Sequence, residues 1–323
     1  MATYLVTGAA GFIAARTAEM LLDAGHTVVG VDNLNDYYDV RVKQHRLARL
    51  TTRPNFTFVR LDIEQMAALE PLFARHRFDA VLNLAARAGV RYSIRNPHVY
   101  LTTNINGTVN ILELMHRHGV QKHVMASSSS LYAGQAMPFT EDLPVNAPVS
   151  PYAASKKAAE MMAYTYHHLY QIDSSVLRFF TVYGPAGRPD MSPFRFTKWI
   201  DEGVPLELFG DGTQARDFTY VDDIARGTIA ALKPLGYEII NLGGGRDPVM
   251  LTTLIEKLET LLGKKARCDR KPFHVADVKA TWADITKAKR LLDWQPEVGL
   301  DEGLQRSVAW YRENKSWLKD VKL

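Results

Sequence analysis

Tyr152 and Lys156 are four residues apart in segment 151–170, whose pattern predicts a helix. Side chains at this spacing leave the same face of a helix, so the phenol and the ammonium group should lie close together. A free tyrosine has a pKa of about 10 and is a weak base near neutral pH. Neighbouring cations favour the phenolate, and lowering the pKa by about three units requires about 4 kcal/mol of differential stabilisation. The pair is therefore a candidate for proton transfer.

Four consecutive serines, Ser127 to Ser130, precede this helix and follow the fifth predicted strand. In a parallel α/β sheet, ligands bind outside the carboxyl ends of the strands. Hydroxyl groups at that place can exchange hydrogen bonds with a bound molecule. A Tyr-x-x-x-Lys spacing alone is most often surface decoration. Its position after this strand makes a catalytic role the better interpretation.

A loop containing two glycines, Thr7-Gly8-Ala9-Ala10-Gly11-Phe12-Ile13-Ala14, joins an apolar strand to an amphipathic helix. Gly8 permits a tight turn, and Gly11 lets the backbone approach a pyrophosphate closely. The first N–H groups of the following helix and its positive dipole end are well placed to bind that anion. A tight turn without any ligand is the weaker alternative. The loop predicts a dinucleotide site formed by Gly8, Ala10, Gly11, Phe12 and Ile13.

Asp32 ends the second predicted strand, at about the 20-residue separation that dinucleotide sites show. A carboxylate there accepts hydrogen bonds from an adenosine ribose and repels a 2′-phosphate, so the predicted cofactor is NAD rather than NADP. Asn33 is assigned to the same site. Asp62 and Ile63 end the third strand and could reach the adenine, although Asp62 is equally well interpreted as a cap.

Short apolar runs alternate with helical patterns through the first half of the chain, which is typical of βαβ units. The predicted strands are 4–7, 27–31, 57–60, 80–84, 122–126 and 175–179, and the predicted helices are 12–24, 66–75, 99–118 and 151–170. Ser150 can cap the last of these helices, and Pro151 suits its first turn. The pattern predicts an α/β fold with a doubly wound, Rossmann-type parallel sheet.

After residue 185 the residues Pro, Gly and Asp become frequent, and shorter, less regular elements are expected. We predict an NAD-binding Rossmann domain over 1–185 and a smaller substrate-binding lobe over 186–323. The two are interleaved, because segments near 215–245 (a helix at 221–232 and a strand at 238–242) are expected to return to the main sheet. Asp222 and Asp223 are interpreted as a helix start rather than as catalysts.

The 323 residues are 46% hydrophobic and 23% charged, with a formal net charge of +4, which is ordinary for a globular protein. No run of basic residues indicates a nucleic-acid site, no apolar stretch approaches the length of a membrane span, and no signal peptide is evident. The single cysteine, Cys268, excludes an internal disulfide and suits a reducing compartment. A cytoplasmic protein without a metal site is predicted.

Taken together, these motifs resemble the nucleotide-sugar epimerase branch of the extended short-chain dehydrogenases, over essentially the whole chain. The matching segments are 7–13, 85–93, 127–132, 152–156, 178–185, 188–191 and 216–223. Within that branch, the pattern is most similar to the epimerases of UDP-glucuronate. Two residues depart from the family pattern: Ala14 and Ala133 stand where glycines are usual, and only Ala14 is a known variant for helix packing.

The resemblance implies a role for each matching residue of the cofactor and catalytic sites. Ser128 would hydrogen-bond the reacting 4-hydroxyl, Tyr152 would remove its proton, and Lys156 would hold the nicotinamide ribose and tune Tyr152. The cofactor channel would be lined by Leu84, Ala85, Ala86 and Asn104, with Phe179 near the nicotinamide.

The resemblance also implies a site for a UDP-sugar. Arg195 and Arg216 would bind its diphosphate, as guanidinium forks can, and Asp277 would accept a hydrogen bond from its ribose. Thr181 and Arg188 would meet a hexuronate carboxylate; Arg188 gripping phosphate or a loop carboxylate is the alternative. The substrate set is Ser128, Ser129, Ser130, Thr181, Arg188, Arg195, Arg216 and Asp277.

The implied reaction is inversion at C4 through a 4-keto sugar, with NAD regenerated in each turnover, and the family commonly forms homodimers. UDP-glucose or UDP-N-acetylhexosamine remain alternative substrates. Dehydratase and decarboxylase relatives place an acidic residue before Leu131-Tyr132, and Ser130 occupies that position here. A protein that senses NAD without catalysis, or a dehydrogenase with exchanging cofactor, is disfavoured because the base and its partners are present.

Overall fold

The computed structural model describes residues 1–273 and 278–323. Its core is one sheet of seven parallel strands in the order β3-β2-β1-β4-β5-β6-β11. The strands of the chain are β1 (Thr3–Thr7), β2 (Thr27–Asp32), β3 (Phe56–Arg60), β4 (Ala80–Asn83), β5 (Lys122–Ser128), β6 (Asp173–Phe179), β7 (Thr181–Tyr183), β8 (Leu206–Phe209), β9 (Ala215–Arg216), β10 (Phe218–Tyr220), β11 (Tyr237–Leu242), β12 (Val249–Met250) and β13 (Cys268–Lys271). The predicted fold class is confirmed.

Helices cover both faces of this sheet and build the rest of the molecule. They are α1 (Phe12–Asp23), α2 (Val40–Thr51), α3 (Met66–Arg75), α4 (Val90–Arg95), α5 (His98–Tyr100), α6 (Gly107–His118), α7 (Pro151–Tyr170), α8 (Ser192–Glu202), α9 (Val221–Ala230), α10 (Leu251–Leu262), α11 (Thr286–Leu292), α12 (Leu300–Glu313) and α13 (Lys315–Leu318). Helix α7 begins as predicted, because the Ser150 hydroxyl accepts a hydrogen bond from the Ala153 N–H at 3.2 Å.

The order of the strands gathers the chemical residues at one edge of the sheet. Strands β1, β4 and β5 are neighbours, so the loop after Thr7 lies beside the chain that follows Asn83. Ser128 is in register with Phe179 of β6. All of these strands are parallel, so their carboxyl ends coincide and the loops that follow them enclose one site.

The returning segment is where the sequence placed it. Helix α9 leads into β11, which pairs with β6 and becomes the seventh strand. Asp222 and Asp223 lie in the first turn of α9, as predicted. The division of the chain into two domains at residue 185 stays a prediction.

The predicted helix 99–118 is helical throughout, but it is not a regular α-helix. The chain forms α5, then a π-helix over Leu101–Asn106, and only then α6. Single π-turns widen a helix and are frequent at functional sites. Here the wide turn includes Asn104, whose side chain accepts from Arg87 N–H at 2.8 Å and donates to Arg87 C=O at 2.9 Å. The distortion therefore fixes the chain that follows β4.

The expectation of shorter, less regular elements after residue 185 holds for the strands of this lobe, which have two to four residues, but not for its main helices. Helices α8, α10 and α12 have 11, 12 and 14 residues and pack around an apolar cluster that includes Phe196, Leu254 and Val308. Helix α2 was not predicted, because Lys43 and Arg46 occupy two of its four buried positions and mask its apolar face. Throughout the described part of the chain, no helix combines the length and apolar character that crossing a membrane requires.

Candidate active site

A cavity of about 470 Å³ lies at the carboxyl edge of the sheet. Most of the predicted site residues line it, from the ends of strands, the loops that follow them, and helices α1 and α7. They are Gly8, Gly11, Phe12, Ile13, Asp32, Asn33, Asp62, Ile63, Leu84, Ala85, Ala86, Ser128, Ser129, Ser130, Tyr152, Lys156, Phe179, Thr181, Arg188 and Arg216. Ala10, Asn104 and Arg195 do not line it, and Asp277 lies outside the described residues.

The loop after β1 has the geometry of a pyrophosphate cradle. Gly8 has φ +71°, and a Cβ there would lie 2.9 Å from the Ala85 backbone. A Cβ on Gly11 would lie 2.8 Å from the Gly8 carbonyl oxygen. Gly11 also begins α1 with no side chain capping it, so the first N–H groups remain available to an anion. The residues present therefore fit a dinucleotide.

Asp32 is nearly buried, with 7% of its surface exposed. Its two oxygens accept hydrogen bonds from the N–H groups of Ala10 (3.1 Å) and Leu34 (2.7 Å). These bonds fix the carboxylate toward the cavity while each oxygen keeps lone-pair capacity for a ribose diol. Ala10 thus supports Asp32 through its backbone N–H and does not itself line the cavity. Asp62 accepts from Asn33 Nδ2 at 2.7 Å and from Glu64 N–H at 3.0 Å, so it also serves as a turn cap.

Lys43 was missed by the sequence analysis. It lines the cavity from α2, and burial lowers its pKa to about 8 while the charge of Asp32 opposes the shift. Its ammonium lies 5.2 Å from the centre of the Tyr38 ring. A lysine in a polar helix carries no sequence signal of burial, so only packing reveals this cation beside Asp32.

The catalytic candidates meet where β5 and α7 adjoin. The Ser128 hydroxyl accepts from the Ser130 N–H at 3.1 Å, which orients it at the end of the strand. Burial raises the pKa of Tyr152, and a hydrogen bond with Ser128 and the charge of Arg188 oppose that rise. Lys156 donates to the Ala126 carbonyl oxygen at 2.7 Å, and burial lowers its pKa to about 8.

These contacts correct one part of the sequence analysis. Lys156 was expected to lower the pKa of Tyr152, yet its ammonium is bonded to the backbone of β5, and the pKa of Tyr152 is raised. The hydrogen bond of Lys156 to the strand thus does not by itself lower the pKa of the phenol. A positively charged ring bound in the cavity would favour the phenolate, which fits the predicted oxidised nicotinamide.

A buried network of hydrogen bonds lies beside these catalytic candidates and connects β5, β6 and α7. Glu160, one turn after Lys156, receives two hydrogen bonds from Arg178 of β6 (2.9 and 2.8 Å) and one from the Ser127 hydroxyl (2.6 Å). Both ionic side chains are 1% exposed. Arg178 also donates to the Tyr132 hydroxyl at 2.7 Å. We call the residues Ser127, Ser128, Tyr152, Lys156, Glu160 and Arg178 the strand–helix corner.

Arg188 faces the same cavity and already has an anionic partner. Its Nε and Nη2 donate to the two carboxylate oxygens of Asp190 at 3.0 and 2.6 Å. The pair raises the pKa of Arg188, and its guanidinium carbon lies 5.6 Å from the centre of the Tyr37 ring. A neutral sugar would therefore not leave this cation without an anionic partner. The alternative contact with a loop carboxylate is the one that the structure contains.

The structure separates the two arginines assigned to the diphosphate. Arg216 lines the cavity and donates from Nη1 to the Ala215 carbonyl oxygen at 2.8 Å. Arg195 stacks 4.3 Å from the centre of the Trp199 ring and pairs with Glu207 at 3.2 Å. In this conformation Arg195 lies away from the cavity wall, because the Glu207 carboxylate on β8 holds it.

The two departures from the family's glycines are explained by backbone and packing. Ala14 is 2% exposed, and its methyl group lies inside the apolar core that covers the sheet. Ala133 has φ −53°, an ordinary value for any residue. The positive φ of this turn falls instead on Gly134 (+86°). Alanine therefore fits both positions without strain.

Comparisons with known proteins agree with this geometry. The model of the NAD dependent epimerase/dehydratase family matches residues 4–243. UDP-glucuronate 4-epimerase of Thermodesulfobacterium geofontis is 61% identical over 323 residues, covering 100% of both chains. UDP-glucuronic acid 4-epimerase of Bacillus cereus, solved in complex with UDP-glucuronic acid and NAD, has TM-score 0.91 and 38% identity, covering 97% of this chain and 99% of that one.

A relative with another substrate is also similar in structure. UDP-glucose 4-epimerase of Thermotoga maritima, solved with UDP-glucose, has TM-score 0.89 and 33% identity over 97% of this chain and 99% of that one. The chain belongs to the NAD dependent epimerase/dehydratase family. Its predicted family and NAD dependence are confirmed.

Proposed function

We propose that this isomerase interconverts UDP-glucuronate and UDP-galacturonate by inversion at C4, with NAD bound throughout. The observation that carries the proposal is that one cavity contains a Ser128–Tyr152–Lys156 group beside a dinucleotide cradle and, in the same enclosure, Thr181 and Arg188. The first group suits oxidation of an alcohol. The second suits a carboxylate, the group that distinguishes a hexuronate from a neutral hexose.

The chain's own residues perform the proton transfer and the positioning. Tyr152 takes the proton from the sugar O4 and returns it after C4 has inverted. Ser128, hydrogen-bonded to Tyr152, holds the same oxygen in line. Lys156, anchored on the Ala126 carbonyl, orients the cofactor ribose. When bound, NAD supplies the hydride acceptor at C4 and the positive charge that favours the Tyr152 phenolate.

Charge in the cavity supports an anionic sugar nucleotide. Among the described lining residues, five cations outnumber two carboxylates, which are Asp32 and Asp62. The cations are Lys43, Arg87, Lys156, Arg188 and Arg216. Asp190 occupies one edge of Arg188, and the edge formed by Nη1 and Nη2 remains for the sugar carboxylate. A hexuronate therefore adds a favourable contact that a neutral hexose lacks.

The same lining disfavours the alternative reactions. Dehydration and decarboxylation on this scaffold use an additional acidic group near the sugar. Ser130 occupies that position. The two carboxylates found among the described lining residues lie at the end of β2 and just after β3, at the cofactor end. Epimerisation needs only the acid–base group that is present.

The decisive experiment is product analysis with three substrates in separate incubations: UDP-glucuronate, UDP-glucose and UDP-N-acetylglucosamine. We expect conversion of UDP-glucuronate to UDP-galacturonate at a much higher kcat/KM than the neutral sugars show. NAD should remain with the protein through gel filtration, as a regenerated cofactor must. Preferred epimerisation of a neutral sugar would overturn the substrate, and exchange of NAD for NADH in each turnover would overturn the reaction type.

We further propose a homodimer that works in the cytoplasm. Apolar side chains stand exposed on α7 and on the π-helix beside it, among them Met161 (59% exposed), Leu169 and Leu101. A second copy covering the two helices would bury them. Light scattering tests this: the wild type should be a dimer, and Met161→Lys should shift the equilibrium toward the monomer.

The proposed location in the cytoplasm is supported by the single cysteine, Cys268, which forms no disulfide, and by the intracellular pools of NAD.

A further inference from the structure

Arg46 contacts two loops that serve different halves of the site. It projects from α2, is 4% exposed, and makes four hydrogen bonds. Its Nη1 donates to the Ala10 carbonyl oxygen at 3.1 Å and to the Tyr38 hydroxyl at 2.7 Å. Its Nε and Nη2 donate to the carbonyl oxygens of Ala186 (2.8 Å) and Gly187 (3.1 Å). One guanidinium thus joins the cofactor loop to the chain just before Arg188.

The segment that Arg46 holds has an unusual backbone. We call Gly184–Asp190 the recognition loop, since it carries Arg188. Ala186 lies in this loop at φ +53°, a left-handed conformation that residues with a side chain rarely adopt. Such conformations persist when surrounding contacts impose them. The two carbonyl oxygens in this loop that accept from Arg46 belong to Ala186 and the next residue. The hydrogen bonds of Arg46 therefore help to impose the left-handed conformation of Ala186.

The charge of Arg46 is not balanced by any side chain in the described residues. All four of its acceptors are neutral, and no carboxylate within the described ranges forms an ion pair with it. The rings of Phe12 and Tyr38 flank the guanidinium at 5.7 and 5.6 Å. A buried guanidinium with neutral partners only is costly, and a dinucleotide's anionic phosphates against the neighbouring cofactor loop would offset that cost.

We propose that Arg46 is a positioning residue that couples cofactor binding to recognition of the sugar carboxylate. By bonding to both loops, it fixes the distance between NAD in its cradle and Arg188. The loop-coupling part stands on geometry alone, and the carboxylate part rests on the proposed function. Arg46 does not line the cavity, and it acts through the backbone of both loops.

The coupling matters because of the chemistry of the oxidised sugar. A 4-keto hexuronate is a β-keto acid. When its carboxylate aligns with the ketone, the C5–C6 bond breaks and carbon dioxide leaves. The electron pair of that bond forms a C4=C5 double bond, and the π pair of the ketone moves to the C4 oxygen, which gives an enolate. A proton from water then completes C5, which gives a 4-keto pentose. A carboxylate held at a fixed angle to NAD and C4 resists this, and small misplacements change such rates steeply.

The test compares the holoenzyme with Arg46→Lys, which keeps the charge but cannot reach four acceptors. Tyr38→Phe removes only the shortest of the four bonds. Arg49→Lys is the matched control, because Arg49 lies one turn along α2 and pairs with Glu19 at the surface. The readouts are hydrogen–deuterium exchange of segments 8–12 and 184–191, NAD retained after gel filtration, and the ratio of decarboxylated to epimerised product.

We expect Arg46→Lys to raise exchange in both segments, to lower retained NAD several-fold, and to raise the decarboxylated share at least threefold. Tyr38→Phe should move all three in the same direction by less, and Arg49→Lys should match the wild type. Unchanged exchange of 184–191 in folded Arg46→Lys would overturn the coupling. Changed exchange with an unchanged product ratio would overturn the positioning role.

The two proposals fail differently. If the wild type does not epimerise UDP-glucuronate, the proposed function is wrong, while exchange and NAD retention still decide whether Arg46 couples the loops. If the wild type does epimerise it and Arg46→Lys alters NAD retention alone, the coupling is wrong and the proposed function stands.

Discussion

The strand–helix corner and the recognition loop face one cavity but are held in place by different interactions. In the corner, regular elements are joined by a buried ion pair, with Arg178 of β6 bonded through both nitrogens of its fork to Glu160 of α7. In the loop, Arg188 follows the left-handed Ala186 and is positioned by Asp190 and by the contacts of Arg46. One region is fixed by its sheet, and the other by individual side chains.

Because of this difference, we expect the corner to govern the chemical step and the recognition loop to govern which sugar is accepted. Proton transfer at O4 tolerates little displacement, and a corner built on a strand and a long helix provides that precision. Under the proposed function, the choice of sugar depends on the loop, whose sequence can change without disturbing the sheet. We therefore expect changes in the corner to affect every substrate alike, and changes in the loop to affect the charged sugar selectively.

The largest effect is expected at the base. Tyr152→Phe should lower kcat by about 10²- to 10⁴-fold on every sugar that the wild type converts, because a general base is lost. Tyr164→Phe, on the exposed side of the same helix, is the control and should keep wild-type turnover. NAD content should be equal in all three proteins. A loss of kcat confined to UDP-glucuronate would contradict the different roles expected for the corner and the loop.

The next effect is expected in the recognition loop. Arg188→Ala should lower kcat/KM for UDP-glucuronate by about 30- to 4000-fold, the equivalent of about 2–5 kcal/mol for truncating one partner of a buried charge pair. Activity on UDP-glucose should fall far less. The measurement is steady-state kinetics on both sugars, with the products identified by mass spectrometry.

Asp190 must be controlled in this experiment, because deleting Arg188 leaves that half-buried carboxylate unpaired. The double variant Arg188→Ala/Asp190→Asn removes the repulsive anion and isolates the lost contact with the sugar. If kcat/KM of the double variant falls equally on charged and neutral sugars, the role of Arg188 is structural. If the double variant still loses activity mainly on UDP-glucuronate, the difference in role between the loop and the corner is supported.

A smaller effect is expected within the corner, at the hydrogen bonds around Glu160. Ser127→Ala removes the 2.6 Å hydrogen bond to the Glu160 carboxylate and should lower the free energy of unfolding by about 1.5–3 kcal/mol. Urea denaturation of the NAD-saturated protein measures it. Thr165→Ala, which removes an exposed hydroxyl on α7, is the matched control. A stability equal to wild type would show that the network does not hold the corner rigid.

The smallest effect concerns pH and the cofactor. Burial lowers the pKa of Lys43 and of Lys156 to about 8. An anionic ligand favours the charged lysines, so NAD affinity should be constant below pH 8, where both are already protonated. Above pH 8 binding requires proton uptake, and affinity should fall by up to about tenfold per pH unit for each lysine.

Calorimetric titration of the cofactor-free protein from pH 6.5 to 9.5 measures this slope. Lys43→Arg replaces one titrating cation with a permanent one and should flatten it, whereas Lys257→Arg, a surface substitution, should not. A flat profile in the wild type would mean that neither lysine senses the dinucleotide.

Local patterns predicted most of the sheet. The strands of the main sheet were predicted within two residues of their observed ends, because buried parallel strands are short apolar runs between turn signals. Helix α7 was predicted at its observed bounds, since Ser150 and Pro151 mark its start. Helix α2 was missed because its buried face carries Lys43 and Arg46, whose burial depends on contacts far away in the sequence.

The sequence by itself determined the fold class, the cofactor cradle and the Ser128, Tyr152 and Lys156 candidates, because each depends on spacing within one strand, turn or helix. Only the tertiary structure decided which charges meet. It bonded Lys156 to Ala126 rather than to Tyr152, paired Arg188 with Asp190, and drew Arg195 toward Glu207. Charge partners are selected by distance and burial, and neither quantity is written in local sequence.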